Sequence, residues 1–201
     1  MTTDPILDLA RTTAPGAGDL AALQARLAAD AHRDGVLDIA YRVVDSPVGP
    51  LLIAATDQGL LRVAFANEGH DAVLQQLADK VSPRILLAPE RLDAAAHALD
   101  EYFAGTRRHF DLPLDWRLSA GFRNTVLRHL PDIGYGHTAS YAAVAALAGN
   151  PKAVRAVGTA CATNPLPVVV PCHRVVRSDG TMGGYLGGAE AKRLLLDLEA
   201  A

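Results

Sequence analysis

Cysteine is nearly absent. The 201-residue chain has two, Cys161 and Cys172. Two thiols cannot build the disulfide framework of a small secreted domain, so a reducing compartment is expected. The opening residues Met1-Thr2-Thr3-Asp4-Pro5 hold no basic region followed by an apolar run, and no secretory signal is expected. No apolar stretch reaches the roughly 18 residues that a membrane span needs. A cytoplasmic protein without membrane contact is expected. The seven histidines are scattered without metal-ligand spacing, so no metal site is expected. Neither a Walker-type Lys-Ser/Thr nor a dinucleotide fingerprint is present. The glycine-rich stretch Thr181-Met182-Gly183-Gly184-Tyr185-Leu186-Gly187-Gly188 is read instead as a loop whose backbone closely approaches a flat ligand.

Positive charge is also short in total, with 19 Lys and Arg against 22 Asp and Glu and a net charge of −3. That sum alone argues against a nucleic-acid partner. Its distribution argues the other way. Residues 1–116 hold 10 basic against 17 acidic side chains. Residues 117–177 hold Arg117, Arg123, Arg128, Lys152, Arg155, Arg174 and Arg177 against Asp132 alone. Such a basic segment is the electrostatic footprint of a phosphate-binding face, although an ordinary solvated surface is the plainer alternative.

Half of the residues are apolar, enough for one large domain or two small ones. Residues 1–36 read as an extension. Within it, Ala14-Pro15-Gly16-Ala17-Gly18 is a loop, Leu20, Leu23 and Leu27 recur at helical spacing, and Asp34-Gly35 stops the helix, which is read as a docking helix or a mobile extension. Period-two alternation from Leu37, broken at Ser46-Pro47-Val48-Gly49 and Asp57-Gln58-Gly59, predicts a three-stranded antiparallel meander. A helix through Val73, Leu74, Leu77 and Val81 follows, then a short strand Ile85-Leu86-Leu87 and a helix from Glu90 with Leu92, Ala96, Leu99 and Phe103 on one face. Residues 37–114 thus form an α/β unit with no catalytic constellation. Leu112-Pro113-Leu114-Asp115-Trp116 is the expected crossing to a mostly helical unit, residues 115–201. There Ser119 is expected to cap a helix carrying Phe122, Val126 and Leu130, and Thr138 or Ser140 the next, which runs to Leu147. Asn150 and Pro151 start a helix reaching about Ala162. The last two read as a helix-turn-helix, and a final helix spans 189–199. The fold class is α+β.

The stretch with the most chemistry in it is Asn164-Pro165-Leu166-Pro167-Val168-Val169-Val170-Pro171-Cys172-His173-Arg174-Val175-Val176-Arg177. Val168–Val170 read as a short buried strand ending at a proline, a thiol and an imidazole. A free thiol has a pKa of roughly 8.5, so activation needs a base or nearby positive charge. His173, Arg174 and Arg177 are close in sequence. A bare Cys-His pair is more often an inert buried thiol than a nucleophile.

The arrangement Asn-Pro-x-Pro-x-x-x-Pro-Cys-His-Arg-Val resembles the active-site signature of the O6-alkylguanine-DNA alkyltransferases, the methylated-DNA–protein-cysteine methyltransferases. The resemblance covers residues from about 37 to 199. It implies irreversible transfer of a methyl or alkyl group from O6-alkylguanine in double-stranded DNA, and from O4-alkylthymine, to Cys172, with suicide stoichiometry and no cofactor. It implies that His173 is the base acting on Cys172, that Glu199 orients it, that Asn164 braces the turn and that Tyr141 donates to the guanine. Arg155, in the matching run Lys152-Ala153-Val154-Arg155-Ala156-Val157-Gly158, would fill the stack vacated by an extruded base. Small Ala156 and Gly158 suit a helix entering a groove, and Arg128 and Lys152 add phosphate contacts. Val175, Tyr185, Leu186, Gly187 and Cys161 would line the guanine pocket. Some members carry a cysteine-rich N-terminal zinc site; none is expected here. Leu186 and Gly134 depart from the family's common Ser and Pro. A monomer that can bind DNA cooperatively is expected. Three rivals are a lesion-flagging binder without transfer, a helix-turn-helix regulator and a Cys-His hydrolase.

Overall fold

Strict alternation sends successive side chains of a strand to opposite faces, and that is how the N-terminal half is assembled. The computed structural model describes residues 16–200. β1 (Ile39–Val44), β2 (Leu51–Thr56) and β3 (Gly59–Phe65) form the antiparallel meander. The sheet is larger than three strands. β4 (Ile85–Leu87) joins parallel to β1 and gives the order β3-β2-β1-β4. One face buries Ile39, Leu52 and Leu61 with Val73 and Leu77 of α2 (His70–Lys80). The other buries Leu51, Ile53, Val63 and Phe65 with Ala96, Leu99 and Tyr102 of α3 (Asp93–Phe103), and runs on without a break into the C-terminal half. Both faces being covered explains why β2 is almost wholly apolar.

Helix α1 (Ala17–Arg33) stops at Asp34, with Gly35 at φ 65°. It docks through Ala28 and Ala31. Leu20, Leu23 and Leu27 instead lie 48%, 58% and 56% exposed. The helix starts earlier than expected, so the loop ends at Gly16; Ala14 and Pro15 lie outside the described residues.

The crossing is bound to the edge of the sheet. Leu60 N donates to the Pro113 carbonyl at 2.8 Å, and Asp115 N donates to the Leu60 carbonyl at 2.9 Å. Gly59 sits at φ 136°, where any Cβ would collide with that Pro113 carbonyl.

Four helices make up the C-terminal half: α4 (Gly121–His129), α5 (Tyr141–Leu147), α6 (Val154–Ala162) and α7 (Gly188–Ala200). Two local expectations change and one open alternative is decided. Ser119 does not cap α4; Ala120 holds that position, and the Ser119 carbonyl accepts from Asn124 Nδ2 at 3.1 Å. Ser140, not Thr138, caps α5, accepting from Ala143 N at 3.1 Å. Asn150-Pro151-Lys152 is a separate turn, closed by Ala153 N to the Asn150 carbonyl at 2.9 Å, so α6 begins at Val154.

Val168–Val170 is not a strand. Pro165, Pro167 and Pro171 bring no N–H to a ladder, and Val170 N turns back to the Leu166 carbonyl at 2.8 Å. Val168 takes φ 71°, a left-handed conformation that a β-branched residue holds only under tight packing, and it is 1% exposed. The strand of this region is β6 (Val175–Val176), beyond the thiol and parallel to β5 (Ala139–Ser140).

Candidate active site

The wound segment from Asn164 to Pro171 delivers Cys172 to the start of a 3-10 turn, Cys172–Arg174. The thiol is 2% exposed. Asn164 holds both ends of the segment: Nδ2 donates to the Val170 carbonyl at 2.8 Å and to Cys172 Sγ at 3.2 Å, and Oδ1 accepts from Leu166 N at 3.0 Å. Burial pushes the Cys172 thiol up to about 11, while the Asn164 hydrogen bond and the charge of Lys192 pull it down. Lys192 is fully buried, and its Nζ donates to the Val175 carbonyl at 2.6 Å. Cys161, on α6, is buried, and burial pushes its thiol up too. Tyr141, half-buried at the start of α5, lies against the glycine-rich loop: a Cβ on Gly183 would collide with its hydroxyl. Burial raises the Tyr141 pKa and keeps the phenol a proton donor.

The adjoining charge cluster centres on Glu199, in the last turn of α7. His173 Nε2 lies 2.8 Å from Oε1, and Tyr102 donates to Oε1 at 2.6 Å. Arg174 bonds both oxygens, Nε to Oε2 at 2.8 Å and Nη2 to Oε1 at 2.9 Å, and Nη1 reaches the Ile133 carbonyl at 2.6 Å. Gly136 N donates to Oε2 at 3.3 Å. Gly136 has φ 73°, and a Cβ there would come within 2.8 Å of the Glu199 carbonyl. Burial alone would raise the carboxyl; the hydrogen bonds from His173, Arg174 and Tyr102 outweigh it and hold the pKa at about 2. Burial lowers His173 despite the opposing pull of Glu199, so the imidazole is neutral at pH 7. Its Nδ1 is buried and makes no hydrogen bond to the protein.

Tyr185, Leu186 and Gly187 are half-buried. The Tyr185 ring meets His173 edge-on at 6.3 Å. On the opposite character of surface, α6 exposes Arg155 and Ala156, with Lys152 exposed in the turn before it, and a Cβ at Gly158 would meet nothing within 4 Å. Arg128 is less free than its sequence position implies. Its guanidinium stacks 4.7 Å from the Trp116 ring centre and bonds Asn124 at 2.8 Å. Among the described residues no group of three or more His, Cys, Asp or Glu is placed to hold a metal ion, and no helix is long and apolar enough to cross a membrane.

Residues 39–116 match the family model for the ribonuclease-like domain of 6-O-methylguanine DNA methyltransferase, and residues 121–201 match the model for its DNA-binding domain. The chain belongs to this methyltransferase family. The methylated-DNA–protein-cysteine methyltransferase of Mycolicibacterium paratuberculosis is 39% identical over 161 residues, 80% of this chain and 92% of that protein. The constitutive enzyme of Bacillus subtilis is 37% identical over 163 residues, covering 79% and 94%. The crystal structure of Mycobacterium tuberculosis O6-methylguanine methyltransferase superposes with a TM-score of 0.70 at 36% identity, over 81% of this chain and 93% of that one. The OGT of the same organism in complex with DNA superposes at 0.68 and 37% identity, covering 80% and 92%.

As a methyltransferase the chain has the enzyme class of a methylated-DNA–protein-cysteine S-methyltransferase, and its work is DNA repair by alkyl transfer. The fold gathers Cys172, His173, Asn164 and Glu199 in one buried region, with Tyr141 at its border and Arg155 on an exposed helix. Two members of the methyltransferase's charge cluster were missed in the sequence. Tyr102 comes from α3 in the other half, 97 residues from Glu199, and no local pattern announces so distant a contact. Gly136 lies in the turn before β5 and belongs to no motif. Arg174, read as positive charge for the thiol, is instead bound to Glu199; Lys192 is the cation that acts on Cys172.

Proposed function

We propose that Cys172 accepts the alkyl group of O6-alkylguanine in double-stranded DNA, in one irreversible step. The observation that carries this is a thiol 2% exposed, held at 3.2 Å by Asn164 and directly followed by a histidine fixed on Glu199. Cys172 Sγ forms a bond to the alkyl carbon as the bond from that carbon to O6 breaks. The bond electrons pass to the guanine, which takes a proton donated by Tyr141 and leaves neutral. The thiol proton passes through a bridging water to His173 Nδ1, the ring nitrogen that Glu199 does not occupy. Glu199 and Arg174 keep the ring in place. The product thioether is not reopened, so each chain acts once and no cofactor takes part. O4-alkylthymine presents the same alkyl–oxygen bond and is a second substrate.

A base inside a duplex must be extruded to reach so buried a thiol. The second helix, α6, is read as entering the minor groove, with Arg155 filling the gap and Ala156 and Gly158 allowing close approach. Lys152 and Arg128 add positive charge towards phosphates. Val175, Tyr185, Leu186, Gly187 and Cys161 enclose the base. In this reading residues 37–114 support a DNA-binding and acceptor unit, 115–201, and the protein works as a monomer that binds DNA cooperatively.

Intact mass after incubation with an O6-methylguanine duplex tests the proposal. One gain of about 14 Da per wild-type chain, and none for Cys172→Ala, is expected from covalent transfer of one methyl. No gain with lesion-selective binding would replace it by lesion flagging.

A further inference from the structure

The sequence predicts a purely structural role for the N-terminal half. Its edge strand nevertheless touches both walls of the acceptor site. β3 is the last strand of the sheet, and its outer edge, which holds the crossing at Leu60, meets the C-terminal half further on. Val63 N donates to the Pro165 carbonyl at 2.9 Å, and Arg62 Nη1 donates to the same carbonyl at 3.1 Å. Pro165 follows Asn164, the residue whose amide holds the Cys172 sulfur.

The second contact lies a few residues on. After β3 the chain enters a 3-10 turn, Ala66–Glu68. Asn67 Nδ2 donates to the Leu186 carbonyl at 3.1 Å. The Phe65 ring meets Tyr185 edge-on at 5.6 Å and leaves no room at Gly187, where a Cβ would come within 2.7 Å of it. The loop being held contains Gly183, Gly184, Gly187 and Gly188, so its own backbone resists motion poorly. Glu68 joins the two contacts. Its carboxylate accepts from Phe65 N at 2.9 Å and pairs with the Arg62 guanidinium.

We propose that Arg62–Glu68 is a bracket for the acceptor site, with Arg62 positioning the thiol through Pro165 and Asn164, and Asn67 positioning the substrate loop through Leu186. Both are positioning residues, since neither touches the thiol. The inference rests on the reading of Cys172 as the acceptor. The two arms act on different steps. The Arg62 arm governs how the sulfur is held, with or without DNA. The Asn67 arm governs the loop that meets the base, and therefore affinity and the preference between small and large alkyl groups.

Single-turnover transfer from O6-methylguanine and O6-benzylguanine duplexes, followed against DNA concentration, separates the arms. Alkylation of Cys172 by iodoacetamide, read by intact mass, reports the sulfur without DNA. Losing one hydrogen bond to a neutral carbonyl changes the affected constant by about fivefold. For Asn67→Ala the half-saturating DNA concentration rises by that factor, or the benzyl-to-methyl rate ratio shifts by it, while the iodoacetamide rate holds; Asn67→Gln restores it. For Arg62→Met the limiting rate and the iodoacetamide rate shift together while half-saturation holds, and Arg62→Lys restores them. Unchanged constants, or one uniform loss that follows thermal unfolding and ignores the conservative replacements, overturns the bracket. Absence of transfer by the wild type overturns the acceptor reading, and the bracket with it.

Discussion

Cys172 and Glu199 lie in the same half of the molecule and are almost equally inaccessible, at 2% and 5% exposure. Their surroundings differ in kind. Among the described residues the carboxylate receives five hydrogen bonds, from His173, Tyr102, Gly136 and twice from Arg174. The thiol receives one from a side chain, Asn164. The carboxylate is therefore held as an anion far below its usual range, whereas the thiol keeps its proton well above neutrality. A buried charge must be fully bonded to persist. A group that has to change its bonding during reaction is better left with little to break. On the proposed chemistry one region acts as scaffold and the other as reagent, and His173 is the residue shared between them.

That contrast breaks most visibly at Glu199. Glu199→Gln removes the charge but leaves Arg174 buried, and a loss of about 3–5 kcal/mol in urea denaturation is expected, as for other buried pairs cut on one side. A loss within about 0.5 kcal/mol, the range of ordinary surface changes, would show that the cluster is not structural. Acid offers a gentler cut. The folded pKa of Glu199, about 2, lies below its ordinary 4.5. The stability it contributes is present above the ordinary value and is lost as pH falls towards the folded one. The melting temperature of the wild type should drop across that window more steeply than that of Glu199→Gln; parallel curves would remove Glu199 as the cause. The smallest effect sharpens the other side. Asn164→Ala deletes the side-chain donor that favours the thiolate, so the thiol titrates still higher. Ultraviolet thiolate absorbance against pH reads the shift, and alkyl transfer at neutral pH should slow by about three- to tenfold, the value of one ordinary hydrogen bond. A thiol that titrates lower would contradict the assignment.

The readability of the two regions differs as well. The reagent side is local: Asn164, Cys172 and His173 lie within ten residues, and a short motif exposes them. The scaffold side is assembled from separated stretches. Glu199 was found through the resemblance, but Tyr102 and Gly136 could not be, because burial and a long-range bond leave no periodic trace. The meander and helices were legible because alternation and capping are local signals. Ile85–Leu87 was seen as a strand but not as a partner of β1, since pairing in a sheet is decided at a distance. Val168–Val170 misled for another reason. Three β-branched residues carry strand propensity, yet the prolines around them deny the ladder its donors, and packing imposed a turn.

The burial of Cys172 also bears on how long an unused molecule remains useful. On the proposed chemistry each copy clears one lesion, so repair capacity equals the number of copies with an intact sulfur. A solvent-facing thiolate is open to any small oxidant or electrophile, and the stock would decline with time whether or not DNA was damaged. A sulfur 2% exposed and still protonated is reached chiefly by what a base carries into the pocket. Depletion of the stock is thereby tied to the number of lesions met and not to the age of the protein.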